Sequence, residues 1–165
     1  MTRNGDESLS LGERTARVQQ CENADLLISI HTNASVSMKA QGIETFFYLH
    51  KSSPAHIRLG NDELIGSGIL LNNTLDIQSK CLAECVHSEL LQGATFRNPS
   101  VVDRGIKQEG AQLLLGVEIP AILVELGFLT HPVEGQLLAA NEEYTDDLAW
   151  AVCLGIEKYF ASKVA

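Results

Sequence analysis

Leu27-Ile-Ser-Ile-His31-Thr-Asn33-Ala34 and Pro120-Ala-Ile-Leu-Val-Glu125-Leu-Gly-Phe128 are the two stretches that decide how this chain folds. Each is a short, β-branched apolar run that ends on an ionisable side chain. A continuous run of that length reads as a strand buried on both faces. Such strands belong in a sheet flanked by helices, where ligands bind at the carboxyl ends of the strands. If the two run parallel, His31 and Glu125 emerge on the same rim. Imidazole binds zinc and a carboxylate takes a proton from metal-bound water, so the pair suits a metal-assisted hydrolase. Taken by itself, the pair fits a structural or surface histidine and a first solvated glutamate better.

Outward from these strands, helices and strands alternate. Ser10-Leu-Gly-Glu13 reads as a capping box that opens a helix running to about Asn23. Ile43 to Leu49, rich in aromatic residues, reads as a strand. Lys51 to Thr74 carries Pro54, three glycines and Asn72-Asn73 and reads as a loop with some helix. Asp76 to Leu91 places Ile77, Cys81, Leu82, Cys85, Val86 and Leu90 at helical spacing. A loop follows through Asn98-Pro99, and Leu113 to Leu115 reads as a strand or strand edge. Pro132 to Ala140 reads as a short helix. Asn141 caps a last helix with Leu148, Val152, Ile156 and Tyr159 on one stripe. This order predicts an α/β fold with a largely parallel sheet.

The bulk properties narrow the function. The chain has 165 residues, 45% of them hydrophobic, enough for one domain with a real core. Its net charge of -9 argues against nucleic acid, which needs clustered Lys and Arg. No apolar run is long enough for a membrane span, and the opening MTRNGDESLS does not resemble a signal peptide. Cys21, Cys81, Cys85 and Cys153 show no zinc-ribbon spacing and read as small buried apolar residues.

The motifs in order carry a resemblance. Thr2-Arg3-Asn-Gly-Asp6 is followed by Leu9, Leu11, Glu13-Arg14 and Asn23-Ala-Asp25-Leu26. Then come Ser29-Ile-His31-Thr-Asn33-Ala34, Gly42-Ile-Glu44-Thr-Phe-Phe-Tyr48, Arg104-Gly-Ile-Lys107 and Pro120-Ala-Ile-Leu-Val-Glu125-Leu-Gly-Phe128-Leu129. Together they resemble the zinc-dependent N-acetylmuramoyl-L-alanine amidases, the cell-wall amidase catalytic domain, over almost the whole chain. Ser-Ile-His-x-Asn and Val-Glu-x-Gly-Phe are the most specific pieces. The resemblance implies a single three-layer domain over residues 1–165, with a largely parallel sheet flanked by helices. It also implies zinc as cofactor and peptidoglycan as substrate, cut at the amide between N-acetylmuramic acid and L-alanine.

Carried over residue by residue, His31 is a zinc ligand and Glu125 the catalytic general base. Asn33 binds substrate or sets the turn after His31. Glu44 orients His31 or sits solvated on its strand. Arg104 and Lys107 face stem-peptide carboxylates or are loop charges. Gly127 permits a tight turn beside Glu125. His50, His56, His87 and His131 have structural or surface roles.

The chain departs from the family pattern at its start. The family opens with a strand-helix-strand unit that supplies a His and a Glu ligand, and this chain begins on the Thr-Arg motif that follows it. The expectation is therefore an N-terminally truncated domain that lacks two of three zinc ligands, holds zinc weakly and has little activity alone. A non-catalytic homologue, degenerate or completed by a partner, that binds peptidoglycan or regulates an amidase is the alternative. A working enzyme belongs in the periplasm or cell envelope, with an export signal upstream, and an activator protein is a possible partner.

Overall fold

The computed structural model describes residues 5–48, 74–108, 114 and 117–163. Four strands, β1 (Leu27–Asn33), β2 (Ile43–Phe47), β3 (Asp103–Gln108) and β4 (Ala121–Phe128), form one sheet in the order β1-β4-β2-β3. β1 runs parallel to β4 and β2 parallel to β3, while β2 and β4 are antiparallel. The sheet is thus mixed: two parallel pairs meet at a central antiparallel seam.

Among the described residues four helices surround it: α1 (Leu11–Gln19), α2 (Thr74–Arg97), α3 (Pro132–Ala140) and α4 (Glu142–Ser162). Both halves of the capping box at α1 form, with Ser10 Oγ accepting from Glu13 N and Glu13 Oε2 accepting from Ser10 N. The helix stops at Gln19, short of Asn23, because Cys21 and Ala24 turn back onto Val18 and Cys21. α2 runs past Leu91 to Arg97, carried through Gly93, and ends just before the Asn98-Pro99 step, where proline disfavours helix. The side chain of His131 caps α3, ahead of Pro132 in its first turn, and Asn141 caps α4.

The two faces of the sheet do different work. Ile43, Phe47, Ile122 and Val124 pack against Leu82, Val86 and Leu90 of α2 and Tyr144, Leu148 and Val152 of α4 in the main core. On the other face, at the Leu27 and Ala121 ends of β1 and β4, Val18 of α1 packs with Leu27, Leu123, Leu114 and Val117. Helices on one face and α1 with Leu114, Val117 and Ile119 on the other make three layers.

β3 is the strand that hydrophobic periodicity does not reveal. Its sequence DRGIKQ is polar and partly exposed, as an edge strand paired on one side only allows. Of the stretch Leu113–Leu115, only Leu114 is within the described residues; it is buried but outside the four strands. Lys51 to Asn73, with His56, and His50 before it lie outside the described residues. The cysteines depart from their expected burial: Cys21 and Cys153 are exposed, Cys81 and Cys85 partly so, and all four are free thiols. Cys21 follows the end of α1 and Cys153 occupies the solvent side of α4, so neither position reaches the core. No helix among the described residues is long and apolar enough to cross a membrane.

α2 and α4 touch backbone to backbone where a Cβ on Gly155 would stand 2.5 Å from Val86 Cα. Gly155→Ala is expected to destabilise the fold by about 1–3 kcal/mol through overpacking. Gly12→Ala in α1, where nothing lies within 4 Å, is expected to be neutral or stabilising by up to about 1 kcal/mol. Urea denaturation of the two variants checks the contrast.

Candidate active site

The parallel pairing of β1 with β4 sets His31 directly opposite Glu125, and the antiparallel pairing of β2 sets Glu44 opposite Glu125 on its other side. Residues paired across strands point to the same face. His31, Glu125 and Glu44 therefore form one row across three strands, on the face of α1, at the carboxyl ends of β1 and β4. The expected meeting of His31 and Glu125 on one rim is what the register produces.

Just beyond Glu125 the ladder gains a residue. His31 pairs with Glu125 but Asn33 pairs with Phe128, so two steps on β1 face three on β4. The extra residue lies at Leu126-Gly127, and Gly127 has φ +139°, a conformation that side chains rarely adopt. A Cβ there would also stand 3.0 Å from Glu134 Oε2. Glu134, buried in α3, accepts from Phe128 N and Gly42 N at 2.8 Å each. One carboxylate thus ties down the chain after Glu125 and the chain before Glu44.

Each member of the row has its own surroundings. His31 Nε2 lies 2.9 Å from Ser29 Oγ, two residues back on the same face. Burial, and then the positive charge of Arg14, hold the His31 imidazole below its ordinary pKa. That favours the neutral, ligating form. Glu44 is only 4% exposed. It accepts from Asn33 Nδ2 at 2.8 Å, from Arg104 Nε at 2.8 Å and from Lys107 Nζ. Burial pushes its pKa up, but the bonds from Lys107 and Arg104 outweigh that and hold it below the usual carboxylate value. Glu44 is neither solvated nor bonded to His31; it is an ionised, fully engaged neighbour of Glu125.

Glu125 is the opposite case. Its Oε2 is buried and has no hydrogen-bond partner among the described residues. Burial pushes its pKa up, the charge of Glu44 adds to that, and the result is about 7. The two neighbouring carboxylates thus differ in proton affinity: Glu44 is held below the ordinary value by its two cations, and Glu125 is raised to about 7.

Asn33 and Arg104 are not left for substrate alone. Asn33 Oδ1 accepts from Ala34 N at 2.8 Å, fixing the turn, while its amide holds Glu44. Arg104 commits Nε to Glu44 and lies over the Phe128 ring at 5.0 Å. Ser29, Glu134 and Asp103 were not legible as site residues: each acts through a bond made in the fold, not through a motif position. His87 is buried and bonded to Thr45 and Asp103, and His131 caps a helix, so neither lies on the row.

A three-ligand metal site does not emerge. No group of three His, Cys, Asp or Glu among the described residues could hold a metal ion. His31 is the single imidazole on the row, Glu44 is neutralised by two cations, and a catalytic zinc keeps three protein ligands. The described residues do not fit zinc on their own.

Comparison with known proteins adds an independent line. The family model described as N-acetylmuramoyl-L-alanine amidase matches residues 1–158. The YqiI protein of Bacillus subtilis is 29% identical over 159 residues, covering 96% of this chain and 62% of that one. The crystal structure of N-acetylmuramoyl-L-alanine amidase from Clostridium difficile 630 is 32% identical, covers 98% of this chain and 70% of that one, and superposes with a TM-score of 0.74. The CwlD amidase of Clostridioides difficile, solved in complex with the GerS lipoprotein, is 26% identical with a TM-score of 0.69, covering 98% of this chain and 74% of that one. The chain spans 42 to 62% of the length of the first curated relatives that it matches.

The raised pKa of Glu125 makes the fold pH-dependent. Its folded value of about 7 lies above the ordinary 4.5, so the folded state binds the proton more tightly and stability falls as pH rises from about 4.5 to about 7. Glu125→Gln, permanently neutral, is expected to be more stable than the parent at pH 8, by at most about 3 kcal/mol. The gain should vanish below about pH 4.5. Denaturation midpoints of both proteins at pH 4.5 and pH 8 check this.

Proposed function

The chain belongs to the N-acetylmuramoyl-L-alanine amidase family, and from that premise we propose that it is catalytic-domain sequence of a peptidoglycan hydrolase that cuts the amide between N-acetylmuramic acid and L-alanine. The observation that carries the reading is Glu125: a half-buried carboxylate with a pKa near 7 and an unpartnered oxygen, set beside His31 at the strand ends. In the proposed role Glu125 takes a proton from the attacking water and returns it to the leaving alanine nitrogen. A base with that proton affinity is half ionised at neutral pH, which suits both transfers. Glu44 keeps its charge throughout, so that Glu125, not Glu44, is the group that changes protonation.

His31 is proposed as one zinc ligand. Two further donors are needed for a three-ligand centre, from residues outside the described set or from another polypeptide. Arg104, exposed on one side, and Asn33 are proposed to line the approach of the stem peptide, each with only part of its hydrogen-bonding capacity used by the fold. The substrate places the working enzyme outside the cytoplasm, in the periplasm or cell envelope. An activator protein is a reasonable partner, since the related CwlD was solved with a lipoprotein bound.

The shortfall of metal ligands favours one second reading: a non-catalytic homologue that binds peptidoglycan or regulates a partner amidase. One digestion separates the two. Release of stem peptides with a free N-terminal alanine from purified cell wall incubated with the protein and added zinc, slow because zinc is held weakly and identified by mass spectrometry, supports the first reading. Glu125→Gln should lower the yield by about 100-fold or more. Binding without cleavage supports the second reading, and cuts within the stem peptide or the glycan overturn the first.

Metal content is a separate test. The chain purified without added zinc is expected to carry well under one zinc per molecule. A tightly held stoichiometric zinc would show that the described residues understate the site.

A further inference from the structure

β3 contains an irregularity on which the Glu44 arrangement depends. Ile43 pairs with Asp103 and Thr45 with Ile106, so two steps on β2 face three on β3. The extra residue falls at Arg104-Gly105, and Gly105 takes φ +80°. On a regular strand, residues three apart point to opposite faces. Arg104 and Lys107 are three apart, yet both reach Oε2 of Glu44. The inserted residue resets the alternation and brings both cations to the face of the row.

A second network holds that insertion from the far side of the sheet. Asp103 Oδ1 accepts from Gly105 N at 2.7 Å and lies 2.9 Å from His87 Nε2. His87, on α2 and 5% exposed, places its Nδ1 2.9 Å from the buried Thr45 Oγ1. A carboxylate only accepts, so Nε2 donates to Asp103, while Nδ1 and the Thr45 hydroxyl share the second bond. Thr45 directly follows Glu44, and Asp103 directly precedes Arg104. The network on the helix side and the ion pair on the site side therefore grip adjacent residues of the same two strands.

We propose that Asp103 and His87 are positioning residues: together they hold the bulge at Gly105 that turns Arg104 and Lys107 onto Glu44, and so fix the charged carboxylate beside Glu125. The inference rests on the reading of this row as the amidase site. Its readout, the Arg104–Glu44 bond, requires no turnover, so the two can fail separately.

The test follows the Arg104 Nε–Hε resonance in ¹⁵N-¹H spectra of the whole chain, together with its exchange with water. Asp103 has 59% of its side chain exposed, so its variants leave the core intact. In Asp103→Ala the resonance is expected to move towards that of a free guanidinium, and exchange to quicken by about tenfold or more, the loss of one charge-assisted bond. Asp103→Asn should keep the parent resonance, because its amide oxygen accepts the same two bonds. Gly105→Ala, whose added Cβ meets nothing within 4 Å but is strained by the positive φ, should reproduce the Asp103→Ala spectrum.

An unchanged Arg104 resonance in Asp103→Ala overturns the proposal, even if the melting temperature falls, because that is a merely structural role. Failure of Asp103→Asn to rescue overturns it as well.

Discussion

The parallel ladder between β1 and β4 is the constraint on which everything else depends. Its register sets His31 against Glu125. Because side chains alternate at a period of two, a slip of one residue would send Glu125 into the helix-covered core and leave His31 without its neighbour. The register is held by burial on both sides. Ile28, Ile122 and Val124 are taken up by the main core, and Leu27, Ala121 and Leu123 by the smaller cluster under α1. Packing that looks purely structural is thus what aligns His31 with Glu125.

Given that alignment, charge determines what each carboxylate does. Glu44 and Glu125 are cross-strand neighbours, and two like charges in a half-buried setting do not both ionise readily. Arg104 and Lys107 break the symmetry in favour of Glu44. Desolvation without compensating bonds then leaves Glu125 with the higher proton affinity. Both bulges serve the same end. The one at Gly127 redirects the chain beyond Glu125, and the one at Gly105 swings two cations onto one face. Each is a local departure from strand geometry placed beside the row.

Much of this was legible in the sequence, for physical reasons that differ from part to part. Capping signals at Ser10 and Asn141 are local, so the starts of α1 and α4 follow directly from the residues, while the cap that His131 places on α3 shows only in the structure. β4 announces itself as an apolar run because both of its faces are covered, whereas β1, read the same way, is an edge strand with Ile30 56% exposed, so its apolar run overstates its burial. β3 does not, since a polar edge strand owes its place to pairing with β2 and carries no periodic signal. The row was half legible. His31 and Glu125 sit at strand ends and in motifs. The role of Glu44 depends on which strand lies beside β4, and that antiparallel seam is a long-range fact no local pattern encodes. The same holds for His87, which as a residue on a helix gives no hint of its reach to Thr45 and Asp103.

The account stands on one property, a proton affinity near neutrality at Glu125 created by burial and by its charged neighbour. A carbon-13 titration of the glutamate carboxyls by NMR measures it directly. A midpoint near 7 for Glu125, with Glu44 still ionised well below the ordinary value, is the expected result. A midpoint for Glu125 close to the ordinary 4.5 would contradict the account, because the carboxylate would then be a solvated strand end and not a poised base.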